Sequence, residues 1–328
     1  SRSGFNLFQE WASYKDLRSV YREEKPDMVH HITIKPVLYG SFAASREHVQ
    51  AVVNAVPGMG FIFTRRGARA ALLRSIVNTL YRVAFAHPNM RVIFQNTEDM
   101  RGFIGHAIVR RDRVVLIRGS GVELSAFNPD VIAPEPVTFV LVARMLRDKG
   151  VNEFAQAAAV VKERYPDWRF LLAGDVDPGN PSSLSASELE AMQQRYGVEW
   201  LGQVEDVPGL LEQVHVVCLP TYYREGLPKT LLEASAAGRA MVASDIAGCR
   251  EVITPGVNGL LVAPRKVPPL ADALLHLGEN KMLRERYGQA ARKRAEAVFA
   301  VEDVVEHTFR VYRDLLPGDA DLPLGDTG

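Results

Sequence analysis

The stretch at residues 137–165, VTFVLVARMLRDKGVNEFAQAAAVVKERY, decides the fold of this chain. Its first seven residues form a continuous apolar run, which is typical of a parallel strand that is covered on both faces. A short basic loop ends at Gly150, and residues 151–165 have the apolar spacing of an amphipathic helix. A strand, a loop and a helix in this order predict a βαβ unit with a right-handed crossover.

The same alternation of apolar runs and amphipathic segments extends over most of the 328 residues. The predicted strands lie at residues 28–33, 49–56, 91–95, 113–117, 137–143, 168–174, 198–202, 214–220, 240–244 and 258–262. The predicted helices lie at residues 9–24, 37–46, 69–86, 97–106, 151–165, 185–195, 207–213, 229–237, 267–277, 279–298 and 301–316. This order predicts an α/β fold with two Rossmann-like, doubly wound domains.

A polar segment with three prolines, residues 128–136, separates the two sets of strands. We interpret it as an interdomain linker, with a first domain over residues 1–134 and a second over residues 135–300. A doubly wound domain usually begins with a strand and a glycine-rich turn, whereas this chain begins with the helical segment 9–24. The first domain is therefore expected to be small or to lack its initial strand or strands.

The composition excludes several classes of protein. Hydrophobic residues make up 47% of the chain and charged residues 24%, which is ordinary for a globular protein. Cys218 and Cys249 form no CxxC or Cys/His cluster, so neither a disulfide framework nor a metal site is expected. The first residues do not resemble a signal peptide, and no apolar run reaches the ~18 residues of a membrane span. These features predict a cytoplasmic enzyme.

The charge is distributed unevenly along the chain. Residues 1–119 contain 18 Lys and Arg against 9 Asp and Glu, a net charge of +9, so the remainder, with 21 against 30, carries −9. A basic half suits an anionic partner such as lipid headgroups, a phosphorylated substrate or nucleic acid. The arginine-rich segment 65–82 is either a solvated helix face or an interfacial helix on anionic lipid. No nucleic acid partner is expected, because no recognition motif is present and the other half is acidic.

Two carboxylates, Glu225 and Glu233, lie eight positions apart in the segment EGLPKTLLE, which follows a predicted strand. Gly226 and Pro228 lie at the expected start of the next helix, where free N–H groups and the helix dipole favour a phosphate. In this position Glu225 would reach a sugar hydroxyl, and Glu233 would accept hydrogen bonds from ribose hydroxyls. The alternative interpretation is that both glutamates are ordinary solvated charges of a helix.

The basic loop after strand 137–143 contains a second pair of candidates, Arg144 and Lys149. A guanidinium fork and an ammonium group at the carboxyl end of a strand can clamp a diphosphate. They would also neutralise the negative charge that develops on a diphosphate leaving group. The alternative is a solvated basic turn.

Two further motifs give weaker signals. Gly119 and Gly121 permit a close approach of the backbone to a ligand, or they only turn the chain after a strand. Asp175 and Asp177 have the spacing of a DxD motif that would hold Mg²⁺ or Mn²⁺ beside a diphosphate. Their surroundings, GDVDPGN, favour a polar turn without a metal ion.

His30 and His31 end the first predicted strand of the chain. One of them is expected to face a cleft, where it would accept a proton or hold a substrate hydroxyl. The alternative for each is a hydrogen-bonded histidine of the core. A turn that contains Gly58 and Gly60 lies at the same edge of the predicted sheet, where it would contact a phosphate or only turn the chain.

Together these motifs resemble the donor-binding domain of glycosyltransferase family 4, whose members are retaining transferases with the GT-B fold. The matching elements are Gly119-Ser-Gly121, the loop 144–150, the E-x7-E element 225–233, Gly248-Cys-Arg-Glu251 and Gly256-Val-Asn-Gly259. In the first half, PDMVHHITIKP at 26–36 and GMG at 58–60 resemble a narrower group. Its members are bacterial N-acetylhexosaminyltransferases that extend undecaprenyl-diphosphate-linked sugars for polysaccharide or glycan assembly.

The resemblance implies a retaining, metal-independent hexosyltransferase that needs no cofactor and takes a nucleotide sugar, expected to be a UDP-sugar. The implied donor-binding residues are Arg144 and Lys149 at the diphosphate, Glu225, Gly226 and Leu227 at the transferred sugar, Glu233 at the ribose, and Gly121 and Val204. The implied catalytic residues are Glu225, Lys149, Arg144 and one of His30 and His31. The implied acceptor-side residues are Gly58, Gly60 and Lys35.

The resemblance also implies a lipid-linked glycan as acceptor and peripheral binding at the anionic inner face of the bacterial membrane. The final helix, 301–318, is expected to return to the first domain. Members of the family begin with a strand and a glycine-rich loop, so we expect the sequence to start roughly 60 residues inside the first domain. Two other functions stay open, namely a UDP-N-acetylglucosamine 2-epimerase and a non-catalytic module that binds a nucleotide sugar.

Overall fold

The computed structural model describes residues 7–58, 68–223 and 226–316 of the chain. They form two compact units, the first of residues 7–118 and 302–316 and the second of residues 119–301. The segment 119–134, expected in the first domain, therefore clusters with the second unit. The chain passes from the first unit to the second at Gly119 and returns after Val301.

The first unit is built on a four-stranded parallel sheet in the order β1-β2-β3-β4. Its strands are β1 (Met28–Ile32), β2 (Ala51–Val56), β3 (Met90–Phe94) and β4 (Val114–Leu116). Its helices are α1 (Leu7–Glu24), α2 (Ile34–Arg46), α3 (Ala68–Ala84), α4 (Thr97–Gly105) and, from the end of the chain, α12 (Val301–Leu315). Each strand except the last is thus followed by a helix, as a parallel sheet requires.

Both faces of this sheet are buried. Val52 and Val56 of β2 pack into one apolar cluster with the ring of Phe103. Ala51 and Val53 point to the opposite face, because successive side chains of a strand alternate, and join a second cluster that includes Val311 and Leu315 of α12. The continuous apolar runs in the sequence reflect this burial on two sides.

The second unit is built on a six-stranded parallel sheet in the order β10-β9-β8-β5-β6-β7. Its strands are β5 (Thr138–Val142), β6 (Arg169–Ala173), β7 (Glu199–Gly202), β8 (Val216–Leu219), β9 (Ala240–Ser244) and β10 (Gly259–Val262). Its helices are α5 (Val151–Lys162), α6 (Ala186–Tyr196), α7 (Val207–Glu212), α8 (Lys229–Ala236), α9 (Ala247–Val252), α10 (Val267–Glu279) and α11 (Lys281–Val298).

The order of the strands reverses between β5 and β8. From β5 the chain builds outward through β6 and β7, and it then crosses back to form β8, β9 and β10 on the other side. Loops on the two sides of such a reversal diverge and leave a crevice at the carboxyl ends of the strands, where ligands of open α/β sheets bind. We call the carboxyl ends of β5 and β8, with the loops that follow them, the switch-point edge.

The prediction of an α/β fold with two parallel sheets is confirmed, and each of the ten expected strands is present. Helix α9 was missed, since it has six residues and lacks the capping aspartate and the proline that mark the start of the equally short α7. Among the described helices, none combines the length and the low polarity that crossing a bilayer requires.

Candidate functional site

The loop after β5 packs directly against the end of β8. Gly150 ends this loop in the left-handed conformation, with φ of 78°, and α5 begins at the next residue. A Cβ atom at position 150 would lie 2.2 Å from the carbonyl oxygen of Pro220. Glycine is therefore required both for the backbone conformation and for the close approach of the two loops.

Hydrogen bonds hold the two loops of the switch-point edge together. The carbonyl oxygen of Asp148 accepts from the backbone N–H of Tyr222 at 2.9 Å and of Tyr223 at 3.2 Å. It also accepts from the hydroxyl of Thr221 at 3.0 Å. The hydroxyl of Thr230, in the first turn of α8, donates to the carbonyl of Val142 at the end of β5. The basic loop and the start of α8 are thus fixed beside each other.

Lys149 and the amino terminus of α8 lie at this edge. The Nζ atom of Lys149 is 5.8 Å from the centre of the Tyr223 ring. Pro228 precedes α8, and within the described residues no side chain caps that helix. A helix start that its N-cap residue does not cap is a favourable position for a phosphate, and a cation on a neighbouring loop adds to the attraction. Glu225, the predicted sugar contact, lies outside the described residues.

Arg144 belongs to the same loop but contacts the opposite neighbour of β5. Its Nη1 atom lies 2.6 Å from Oδ2 of Asp177, in the loop after β6. The backbone N–H of Asp177 donates to the hydroxyl of Ser183, and the N–H of Asn180 donates to the carbonyl of Asp177. These bonds support the interpretation of the DVD motif as a polar turn. The described residues contain no cluster of three metal-ligating side chains.

Glu233 lies on α8 with only 12% of its side chain exposed, and its Oε1 is 3.4 Å from Nζ of Lys229. Burial raises the pKa of the Glu233 carboxyl, while the charge of Lys229 acts in the opposite direction. A largely buried carboxylate at the edge of a crevice can accept hydrogen bonds from hydroxyl groups of a ligand. This geometry fits the predicted contact with ribose better than the solvated-charge alternative.

The predicted apolar contacts of the donor site surround the start of α8. Leu227 and Val204 are partly buried and pack against the same apolar cluster. Gly119 lies beside Leu227, since a Cβ atom there would be 2.8 Å from Cδ2 of that leucine. At Gly121 a Cβ atom would lie 2.5 Å from Cα of Val301, so packing alone explains this glycine. Its predicted role toward the donor stays a prediction.

Both histidines of β1 contact neighbouring side chains, and His31 is buried whereas His30 is half-buried. His31 is 4% exposed; its Nδ1 is 2.8 Å from Oδ1 of Asn54, and its Nε2 is 2.8 Å from the hydroxyl of Tyr21. Because the amide oxygen can only accept, Nδ1 carries the proton and Nε2 accepts from Tyr21. Burial lowers the pKa of His31 to about 4. His31 is therefore a neutral histidine of the core, the alternative given by the sequence.

His30 lies on the opposite face of β1. Its Nδ1 is 2.7 Å from the hydroxyl of Tyr312 on α12. Its Nε2 is buried without a hydrogen-bond partner, and burial lowers the pKa of the imidazole. An unsatisfied ring nitrogen keeps the predicted role of His30 open, but the side chain packs against α12 in the described unit.

The predicted acceptor-side residues lie at the carboxyl edge of the first sheet. Lys35 is in the first turn of α2, directly after β1, and Gly58 follows the end of β2. Gly60 lies outside the described residues. Thr33, between β1 and α2, has φ of 76°, which is strained for a β-branched residue and is found mainly where function or packing imposes it. No sequence pattern indicated Thr33.

The sequence also missed Tyr223, Asp148 and Thr230, which join the loops of the switch-point edge. Asp148 acts through its backbone carbonyl, so its side chain gave no signal. Thr230 gives a weak one, because a hydroxyl in the first turn of a helix often bonds a nearby backbone group.

Two family models match the chain. One, described as Glycosyl transferase 4-like, matches residues 2–96, and the other, Glycosyl transferases group 1, matches residues 136–280. The first match contains strands β1, β2 and β3 of the four-stranded sheet, and the second contains all six strands of the other sheet.

Two relatives align over most of the chain. An N,N'-diacetylbacillosaminyl-diphospho-undecaprenol alpha-1,3-N-acetylgalactosaminyltransferase of Campylobacter jejuni is 29% identical, covering 87% of this chain and 76% of that protein. A UDP-Gal:alpha-D-GlcNAc-diphosphoundecaprenol alpha-1,3-galactosyltransferase of Escherichia coli is 26% identical, covering 85% and 73%.

Solved structures share the fold. Sucrose-phosphate synthase from Thermosynechococcus elongatus superimposes with a TM-score of 0.76 at 18% identity, over 93% of this chain and 77% of that one. HepE from Anabaena in complex with UDP has a TM-score of 0.75 at 19% identity, over 92% and 82%. With two parallel α/β units and both family models, this chain belongs to the glycosyltransferases of the GT-B fold, with a glycosyl transferase 4-like region followed by a group 1 region.

Proposed function

We propose that this glycosyltransferase moves an N-acetylhexosamine from a UDP-sugar to a sugar carried on a lipid diphosphate, with retention and without a metal ion. The observation that carries the proposal is the switch-point edge, where the loop of Lys149 is hydrogen-bonded to the segment before α8 and where Pro228, the N-cap residue of α8, provides no side-chain cap. The names of both relatives contain a diphosphoundecaprenol-linked sugar, which supports this class of acceptor.

At the switch-point edge the donor diphosphate would lie against cations and backbone N–H groups. Cleavage of the sugar–phosphate bond leaves the charge of the departing nucleotide on the diphosphate. The backbone of the Lys149 loop and the start of α8 are held together by hydrogen bonds before the reaction, so Lys149 and the positive end of the α8 dipole would stabilise that charge with little reorganisation. Arg144 would add a planar fork from the same loop. Glu233 would hold the ribose, and Glu225 would contact the transferred sugar.

The assay that tests this function combines the chain with an undecaprenyl-diphosphate-linked sugar and, in turn, UDP-GalNAc, UDP-GlcNAc, UDP-Gal and GDP-mannose. We expect one UDP-sugar to give an extended lipid product, with an anomeric carbon of unchanged configuration by NMR and no loss of rate in EDTA. Conversion of the donor to a second sugar nucleotide without an acceptor would establish an epimerase instead. Saturable donor binding without transfer or hydrolysis would establish a binding module.

We also propose that α3 holds the enzyme on an anionic membrane. One face of α3 packs into the first unit through Val77 and Tyr81. A second apolar face points to solvent and comprises Leu72 (65% exposed), Leu73 (45%), Ile76 (50%), Leu80 (38%) and Val83 (56%). Arg82 on the same helix is exposed, and the arginines at 65 and 66 lie outside the described residues. An apolar helix face beside arginines is typical of interfacial helices.

Vesicle co-sedimentation tests the role of α3. Because each large apolar side chain contributes roughly 1.5–3 kcal/mol on burial, replacing Leu72 and Ile76 with Ser should weaken binding to phosphatidylglycerol vesicles at least about tenfold. The matched control is Met282→Ser, at an exposed apolar position of α11. Equal binding of both variants, or equal binding to uncharged phosphatidylcholine vesicles, would contradict a membrane role for α3.

A further inference from the structure

A cavity of about 840 Å³ lies at the amino-terminal end of the second sheet. It opens where β8 and β9 begin and is walled by α11 and the segment 129–135. All strands of this sheet are parallel, so the cavity and the switch-point edge lie at opposite ends of it. The titratable residues that line it are Asp130, Glu135, His215, Arg239, Lys281, Arg284, Glu285, Arg292, Lys293 and Glu296.

Arg239 is buried in the wall of this cavity with 7% of its surface exposed. Its Nη2 donates to the carbonyl of Val131 at 2.9 Å, but its Nε is buried without a hydrogen-bond partner. Among the described residues, no carboxylate forms an ion pair with it within 4.0 Å. A buried guanidinium without a counter-charge is costly, and proteins ordinarily pair such a group.

Arg284 is a second cation in the same wall, and it is also 7% exposed. Its Nη1 donates to the carbonyls of Leu277 and Gly278 at the end of α10, at 2.8 and 2.6 Å. These bonds satisfy one nitrogen of the guanidinium, and over the described chain no carboxylate lies within ion-pair distance. Two largely buried arginines therefore line one cavity.

Among the described residues, the acidic groups of the cavity form no direct ion pair with these two arginines. Glu296 lies 2.7 Å from Nε of Arg292, and Glu285 lies 4.0 Å from Nζ of Lys281. Burial lowers the pKa of both Arg239 and Arg284; nearby acids, Glu212 for the first and Glu135 and Glu285 for the second, only oppose this.

His215 reports the same electrostatic environment. Burial, followed by the charges of Arg284 and other nearby cations and opposed by that of Glu135, lowers its pKa to about 4. Its Nδ1 accepts the backbone N–H of Thr138, so the neutral ring carries its proton on Nε2. The cavity therefore offers hydrogen-bond donors as well as positive charge.

We propose that this cavity binds a phosphate-bearing small molecule, separate from the donor, through Arg239 and Arg284. Guanidinium groups suit phosphate oxygens, and Nη1 of Arg239 and Nη2 of Arg284 make no hydrogen bond within the described residues, so each can serve as a donor. The volume lies in the range that holds a drug-sized ligand, so it has room for a metabolite attached to the phosphate. A bound anion would supply a direct ion-pair partner to both arginines, beside the more distant charges of Glu212, Glu135 and Glu285.

Thermal unfolding with inorganic pyrophosphate tests this site. All proteins carry Lys149→Ala, which weakens binding of the probe at the switch-point edge, and NaCl keeps the ionic strength constant. We expect pyrophosphate to raise the unfolding midpoint saturably, since a ligand of the folded state stabilises it by mass action. The rise should persist with Arg286→Met, an exposed control on α11, and disappear with Arg239→Met and with Arg284→Met.

Arg239→Met and Arg284→Met each test the site separately, so the experiment still gives a result if one of the two variants fails to fold. Calorimetric titration of the Lys149→Ala protein should give one pyrophosphate per chain at this site, and none with Arg284→Met. An absent rise in the Lys149→Ala protein, or a rise of undiminished size in both arginine variants, would overturn the proposal.

Discussion

The candidate polar residues at the carboxyl ends of the two parallel sheets have different surroundings. In the second unit Lys149 and Arg144 lie on a loop beyond β5, where their side chains reach solvent or neighbouring loops. In the first unit His30 and His31 lie inside β1, where Tyr312 and Tyr21 cover them. Both sets end an apolar run in the sequence, yet the histidines have side-chain partners within their packed unit, whereas Arg144 and Lys149 lie past the last ladder position of β5.

The difference shows that a residue's position relative to the end of its strand decides whether its side chain is available to a ligand. A residue within a strand has its side chain directed into one of the two packed faces, so a polar group there must find partners in the core. Asn54 supplies such a partner to His31, and the Ser41 hydroxyl donates in turn to Asn54. Gly40 leaves room for the ring, since a Cβ atom there would lie 2.3 Å from Nε2 of His31. A residue on the following loop has no such constraint and can serve a ligand.

The largest expected effect comes from Lys149. If the accessible cations act on the leaving group, Lys149→Ala should lower kcat at saturating donor by about 10²-fold or more, because one preorganised electrostatic contact is lost. Steady-state kinetics with the donor identified by the sugar panel measures it. Lys15→Ala, at an exposed lysine of α1, is the control and should leave kcat unchanged. A kcat of Lys149→Ala within a few-fold of the parent value would contradict a role of Lys149 at the leaving group.

The buried side of the comparison predicts a pH effect on stability. The folded-state pKa of His31 is about 4, below its ordinary value of 6.5. As the pH falls from 6.5 toward 4 the unfolded chain takes up a proton that the folded chain refuses, so stability is lost over this window. His31→Gln should remove a dependence on the order of 3 kcal/mol between these limits. Denaturant unfolding at a series of pH values measures it.

The control for His31 is His307→Gln, which changes an exposed histidine of α12 and should keep the pH dependence of the parent. Some dependence should remain in His31→Gln, because His215 in the second unit also has a pKa of about 4. Identical pH profiles for His31→Gln and the parent would show that the ring titrates in the folded protein, contrary to its enclosure by Tyr21 and Asn54.

Local patterns were sufficient to predict the strands and most helices. The apolar runs of both sheets are continuous because both faces are covered, and the motifs at 144–150 and 225–233 follow strands whose ends were readable. The sequence could not show that β5 and β8 are neighbours, since strand order depends on long-range packing. It therefore could not place Lys149 beside Tyr223 or reveal the contact of Gly150 with Pro220.

The cavity around Arg239 and the strain at Thr33 were beyond reach for the same reason. Arg239 stands in the sequence as one arginine beside a helix end, and only its burial makes it unusual. Thr33 follows two histidines without a glycine or proline to mark a special conformation. His31 was ambiguous because a histidine at a strand end faces either the core or a crevice, and the choice depends on whether the strand continues past it.

The smallest expected effect concerns Asp177, a largely buried carboxylate that lies on a loop rather than in a strand. Its carboxylate is 14% exposed and holds the more exposed side chain of Arg144 at 2.6 Å. Exposed ion pairs are worth at most about 1 kcal/mol, so Asp177→Asn should raise the KM for the donor roughly two- to fivefold and leave kcat nearly unchanged. Asp175→Asn, in the same turn, is the matched control.

The direction of the change in KM separates two roles for the Arg144–Asp177 pair. If Asp177 positions Arg144 for the diphosphate, loss of the Asp177 carboxylate makes the guanidinium group more mobile, and the donor binds more weakly. If Asp177 competes with the diphosphate for the same N–H groups, its loss lowers the KM instead. A lower KM would show that Arg144 must leave Asp177 to bind the donor. Donor binding at the switch-point edge would then require the Arg144–Asp177 ion pair to break, whereas Lys149 would need no such change.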